Sequence, residues 1–190
     1  MSDSGALIHA SGLTAGYVQP VVGPVSFRLG RGDILGVSGP NGCGKSTLLR
    51  ALVGSARVFE GSIERLPGLR ISHQQQGFDV ARDIPLSGAE LLALTDASAK
   101  GLPEWLRPKL GQRLGSLSGG QMQFLRLWAC LMAPADVVLL DEPTNNLDRE
   151  GVAFLQGVLH RLDPALAVII VSHDTPFVRA VCNSVIELAP

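Results

Sequence analysis

Aromatic residues are scarce, at 5% of the chain, and Tyr17 is the only tyrosine. Charged residues are few as well, 17%, with 16 Lys+Arg against 17 Asp+Glu. Neither sign dominates, so the clustered basic excess that grips a nucleic-acid backbone is missing, and no nucleic-acid partner is expected. Cysteine is rare. Cys43, Cys130 and Cys182 are an odd number at wide spacing with no CxxC pair, which gives no zinc or redox site and leaves reduced thiols as the expectation. Long hydrophobic runs are missing too: Ala165–Val171 falls far short of the ~20 residues that span a bilayer, so the chain is not expected to cross a membrane. The start, Met1-Ser2-Asp3-Ser4, has neither the basic region nor the apolar stretch of a secretory signal, so the expected location is the cytoplasm.

What is present is enough apolar material for a core. With 46% hydrophobic residues in 190 positions, the chain is expected to be one domain, 1–190, carrying at most a small inserted subdomain. Glycine is the informative excess, 22 in all, clustered at Gly36–Gly44 and again at Gly119-Gly120. Ile34-Leu35-Gly36-Val37 reads as a short buried strand, and Leu48, Leu49, Leu52 and Val53 recur at helical spacing after the first cluster. Val137–Leu140 and Val168–Val171 are continuous aliphatic runs of the kind covered on both faces. Between them Val152, Leu155, Val158, Leu159 and Leu162 form one helical stripe that Pro164 ends. Strand, helix, strand predicts an α/β fold with a mainly parallel sheet. Residues from about 79 to 117 break that rhythm, with Pro85, Pro103 and Pro108 around two short helical patterns, Ala89–Leu94 and Glu104–Leu110. They read as a helical insertion, bounded at about 79–135 once the following helix is included.

Gly39-Pro40-Asn41-Gly42-Cys43-Gly44-Lys45-Ser46, followed by Thr47, satisfies the pattern G-x-x-x-x-G-K-[ST] between a strand and a helix. Glycines let successive backbone N–H groups curl round phosphate oxygens, Lys45 adds a point charge, and Ser46 offers a hydroxyl to Mg²⁺. This predicts a nucleoside triphosphate site, with an alkyl group on Cys43 expected to obstruct it. At the end of the later strand stand Asp141 and Glu142; strand alternation points them apart, one for the metal shell and one for the attacking water.

Leu117-Ser118-Gly119-Gly120-Gln121 precedes a helix upstream of these acids, and Ser172-His173-Asp174 follows the next strand. With the phosphate loop, these motifs in this order resemble the ATP-binding cassette (ABC) ATPases over essentially the whole chain. The resemblance implies a P-loop core with an N-terminal β subdomain and an inserted helical subdomain. It implies ATP and Mg²⁺ as ligands, Tyr17 stacking on adenine, and Gln76 touching metal and water, with Gln74 and Gln75 adjoining in alternative registers. It likewise implies that Glu142 acts on water, that His173 contacts the γ-phosphate and that Asp148 lies in the D-loop. Ser118, Gly119, Gly120 and Gln121 form the signature motif, which reaches nucleotide held by a second copy. The chain is therefore expected to form a homodimer on binding ATP. Where the family usually has two arginines in the signature helix, this chain has Phe124 and Ala129, with Arg126 nearby; Phe124, Trp128 and Leu131 read as extra core or contact surface.

The expected role of the cycle is to power an ABC transporter, with divalent metal ions as cargo; the alternative is a soluble, non-transport ATPase. Gln76–Ser87 is similar to the matching segment of zinc and manganese importer ATPases, which implies a transporter motor peripheral on the cytoplasmic face, docked on a membrane-spanning subunit near Phe78, Ile84, Leu86, Leu91 and Leu92. Asp141–Asp148, Val171–Asp174 and Val181-Cys182 resemble instead the soluble translation-factor branch, which normally joins two cassettes by a charged linker.

Overall fold

The aliphatic runs at Val137–Leu140 and Val168–Val171 are strands, and every residue in them is buried. Their side chains alternate between two separate cores. Val137, Leu139, Ile169 and Val171 join one, while Val138, Leu140, Val168 and Ile170 join the other. A strand apolar on both faces is what a parallel sheet sandwiched between layers requires.

The computed structural model describes residues 5–75 and 85–189. In chain order the elements are β1 (Ala6–Gly16), β2 (Pro20–Gly30), β3 (Ile34–Ser38), α1 (Lys45–Leu52), β4 (Arg57–Arg65) and β5 (Ile71–Gln74). Then come α2 (Gly88–Leu94), α3 (Gly119–Leu131), β6 (Val137–Asp141), α4 (Arg149–Leu159), β7 (Ala167–Val171), α5 (Thr175–Val181) and β8 (Ser184–Glu187). The strands β2-β1-β4 make an antiparallel sheet, and β5-β6-β7-β3-β8, in that spatial order, make a parallel one. The first core joins the antiparallel sheet, α1 and one face of the parallel sheet; the second lies on the opposite face, under α3, α4 and α5. The architecture is the α/β P-loop arrangement that the sequence motifs imply.

Among the described residues between β5 and α3 most are loop. Helix α2 starts on a capping box in which the Ser87 hydroxyl accepts from Glu90 N–H while the Glu90 carboxylate accepts from Ser87 N–H. The helix expected over Glu104–Leu110 shrinks to a single 3₁₀ turn, Arg107–Lys109, because Pro108 inside the segment has no N–H to donate back to Glu104 O. Leu92 is buried in the second core, and Leu86 and Leu91 pack against it. Phe78 and Ile84 lie outside the described residues. The exposed apolar side chain here is Leu94, 73% accessible, which the sequence reading passed over.

The residues replacing the two expected arginines are interior. Phe124 is fully buried and meets Trp105 edge-on at 5.2 Å, Phe154 edge-on at 5.7 Å and Trp128 in a stack at 6.5 Å. Ala129 is also buried. Arg126 donates from its guanidinium to the Gln75 carbonyl, 3.3 Å away. All three cysteines are free thiols, and burial raises both Cys130 and Cys182 to about 11.

Candidate functional site

The loop between β3 and α1 is shaped by what cannot fit there. Gly44 has φ of 92°, and a Cβ on it would stand 2.6 Å from Val22 Cβ and 2.9 Å from the Val21 carbonyl oxygen, so only glycine closes the loop against β2. It is also the N-cap of α1, whose first turn carries no acidic side chain, so the positive end of the helix dipole faces outward unneutralised. Lys45, 7% exposed, bends back and donates from Nζ to the carbonyls of Gly39 and Pro40, both at 2.8 Å. Asn41, Gly42, Gly44, Lys45, Ser46 and Thr47 line one side of a cavity of about 470 Å³.

Glu142, Asn145, Val171 and His173 line the other side. Asp141 ends β6 and is 4% exposed; Glu142 follows it with φ of 50°, in the left-handed region. Their divergence therefore comes from a backbone turn past the strand end, not from the strand alternation expected. Glu142 N–H still donates to Val171 O at 2.8 Å, and its Oε2 faces His173 Nδ1 at 2.8 Å, the carboxylate accepting. The His173 ring is 62% exposed while the Glu142 carboxylate is 9% exposed, so the histidine stands at the mouth and the acid beneath it.

The residues fit a magnesium nucleotide. Ser46 and Asp141 offer hard oxygen donors, and among the described residues no group of three or more His, Cys, Asp or Glu gathers as an all-protein metal cage would need. A cation held by one or two side chains plus phosphate oxygens is the usual magnesium pattern. The Lys45 ammonium, satisfied by loop carbonyls, sits at the helix N-terminus where phosphate charge belongs.

Tyr17 sits on the turn between β1 and β2 and is 45% exposed; Val21 of β2 lines the phosphate-loop cavity and Tyr17 does not. Its hydroxyl accepts a 2.7 Å hydrogen bond from Arg50 Nη1 in the last turn of α1. His73 in β5 titrates below its ordinary range, chiefly because it is buried and secondly because of the Arg50 charge.

The signature residues build a second cavity, also of about 470 Å³, lined by Trp105, Ser118, Gly120 and Gln121 on one side and Asn146, Leu147 and Asp148 on the other. Ser118 caps α3: its Oγ accepts from Gln121 N–H, and Gln121 Oε1 accepts from Ser118 N–H. The capping oxygen is an acceptor, which leaves its own proton for another oxygen. A Cβ on Gly120 would lie 2.8 Å from the Asn146 carbonyl oxygen. Asp148 caps α4, accepting from Gly151 N–H at 2.8 Å. Gly119 is the first residue of α3.

The two cavities share no lining residue, and of the sequence-derived residues Tyr17, Gly39, Cys43, Gly119 and Asp141 line neither of them. Gln76 lies outside the described residues. Cys43 belongs to the loop by its backbone, but its side chain is buried and lines a neighbouring cavity against β2 and the Ile186–Ala189 segment. An adduct there would press on β2 rather than occupy the triphosphate's place. Sequence reasoning missed Asn145, Trp105 and Arg50. Asn145, three residues past Glu142, was within reach of motif reading; Trp105 and Arg50 carry no local signal.

Comparison with known proteins agrees with this geometry. The family model described as ABC transporter matches residues 22–145. The chain is 37% identical over 177 residues to "Zinc import ATP-binding protein ZnuC" of Paracoccus denitrificans, covering 89% of this chain and 70% of that one. It is 36% identical over 172 residues to "Elongation factor 3" of Phytophthora infestans, covering 85% of this chain but 16% of that protein. Among solved structures, "a putative metal-chelate type ABC transporter" in an inward-facing conformation superposes with a TM-score of 0.79 at 27% identity, over 96% of this chain and 80% of its own. The chain belongs to the ABC transporter family, as an ATP-binding and ATP-hydrolysing subunit.

Proposed function

We propose that this ATPase works as a homodimer peripheral on the cytoplasmic face of a membrane, docked on a membrane-spanning subunit, and that its cycle drives uptake of a divalent metal ion, zinc first. The observation that carries the catalytic part is the convergence of Lys45, Ser46, Glu142 and His173 on one cavity. The cargo rests on the similarity to relatives named for zinc import. The likeness to the elongation factor spans a small part of that protein and extends to the cassette alone.

In this reading Tyr17 stacks on adenine, while backbone N–H groups of Gly39 and of Asn41 to Gly44 and the Lys45 ammonium hold the phosphates, flanked by Thr47. Ser46 and Asp141, joined by Gln76, would hold Mg²⁺, which would supply positive charge against the phosphate oxygens. Glu142 accepts a hydrogen bond from the attacking water, whose oxygen bonds to the γ-phosphorus as the bond to ADP breaks and ADP leaves with the electron pair. Glu142 takes the water's proton. His173 fixes the Glu142 carboxylate from the cavity mouth and presents its other ring nitrogen to the γ-phosphate. Ser118, Gly119, Gly120 and Gln121 of a second copy, next to Asp148, close over the phosphates and donate to the developing charge. The insertion, about 79–135, receives the membrane partner, with Leu94 as an exposed anchor.

Purification of the chain from a detergent extract, with ribosomes monitored alongside, tests the partner. Recovery with a multi-span membrane protein is expected, together with loss of zinc uptake on deletion of the chain. Recovery with ribosomes and no membrane protein would reverse the reading, and unchanged zinc uptake would remove the cargo.

A further inference from the structure

We propose that Arg50 positions the adenine platform: the guanidinium at the far end of the phosphate-loop helix holds the Tyr17 ring at a fixed distance from the phosphate site. The inference rests on the reading of Tyr17 as the residue that stacks on adenine.

Tyr17 stands on a short turn. Its N–H donates to Gln19 O at 3.3 Å, its ring is 45% exposed, and the next residue, Val18, is 96% exposed. An aromatic side chain so placed has little packing to choose its rotamer. The hydrogen bond from Arg50 Nη1 to the phenol oxygen, 2.7 Å, is the contact that pins the ring tip. Neither Arg50 nor Tyr17 lines the phosphate-loop cavity, so the bonded pair stands beside the phosphate site and not in it. Both ends of α1 are thereby committed. Lys45, its first residue, sits at the phosphates, and Arg50, five residues on, lies roughly 7–8 Å further along the axis. The helix is a spacer between the two ends of a nucleotide. Ordering one loose side chain opposes binding by an amount equivalent to about fivefold in affinity, and the tether removes that cost beforehand.

The test measures the affinity of the full chain, with Mg²⁺, for ATP and for inorganic triphosphate, which has no base to stack. Arg50→Leu and Tyr17→Phe cut the same bond from opposite ends. Each is expected to weaken ATP about fivefold and to leave triphosphate within about twofold, and the double variant is expected to be no weaker than either single one. Tyr17→Phe keeps the test alive if Arg50→Leu melts early. Equal losses for ATP and triphosphate would overturn the proposal, placing Arg50 in support of the phosphate loop. Normal ATP binding by both single variants, with Tyr17→Ala weak, would also overturn it while leaving the platform standing. Normal ATP binding by Tyr17→Ala would remove the platform reading itself and the tether with it.

Discussion

Glu142 and His173, 31 residues apart in sequence, are joined by a hydrogen bond of 2.8 Å across the mouth of the phosphate-loop cavity. The bond orients an acid that is 9% exposed by means of a ring that is 62% exposed. The carboxylate is thus held by a partner that solvent can reach, without itself being exposed.

If the pair acts as a unit, its deletions are not additive. Glu142→Gln is expected to lower turnover by about 10²-fold or more with ATP binding retained, because the amide keeps the shape and cannot take the proton. His173→Ala is expected to lower turnover as well, and the double variant to be little worse than Glu142→Gln. Single-turnover hydrolysis and equilibrium nucleotide binding read the two effects separately. Near-normal hydrolysis by Glu142→Gln would remove the assignment.

Gly120→Ala tests the join between the signature helix and the Asn146 turn. The added Cβ would stand 2.8 Å from a backbone oxygen that has no side-chain freedom to retreat, so α3 must shift at its first turn. The expected outcome is loss of ATPase activity by about tenfold or more with monomer affinity for ATP unchanged, since the signature cavity and the phosphate-loop cavity share no lining residue. Reduced ATP affinity of the monomer would count against this separation.

His73 predicts an acid-side loss of stability. Burial, reinforced by the Arg50 charge, holds its folded pKa below the unfolded value of 6.5. Below that value the unfolded chain binds a proton that the folded chain refuses, so stability contributed by the neutral ring is present above about pH 6.5 and is lost as pH falls towards the folded pKa. Urea midpoints at about pH 7.5 and about pH 5.5 should fall further for the wild type than for His73→Gln. Equal falls would show that the ring does not titrate this way.

The strands β3, β6 and β7 and the phosphate loop were legible because each is a run of one character: continuous aliphatics, or glycines at fixed spacing. The antiparallel sheet entered only through the family resemblance. In β1 buried positions occur consecutively, at Leu7-Ile8 and Ala15-Gly16, and its pairing with β2 shifts register repeatedly, so no period of two survives. The two-cavity arrangement was legible as motifs. The Arg50 to Tyr17 bond was not, because it joins a helix end to a turn 33 residues away through one pair of polar tips.

Phe124 gives the clearest measure of the departure from the family's arginine. Phe124→Ala is expected to destabilise by about 3–5 kcal/mol, since it empties a fully buried site among three other rings. Phe124→Arg, restoring the family's usual side chain, should be at least as harmful because it buries a charge there. Thermal melting of the two variants against wild type checks both, and a stable Phe124→Arg chain would show that the ring cluster can open to water.

The register of the parallel sheet has a consequence for how the site comes into being. Val37 and Asp141 both pair with Val171, so β3, β7 and β6 end on one row, and that row sets the phosphate loop, the histidine turn and the acids side by side. The middle strand of the three is the last to leave the ribosome. A nascent chain therefore carries its phosphate loop, complete in sequence by Thr47, with no β7 to hold it beside the acids until Val171 has been added. Parallel neighbours this far apart in sequence close slowly, since the loop entropy comes before the contacts. The row that sets the phosphate loop beside the acids is therefore complete only after Val171 has been made and β7 lies between β3 and β6.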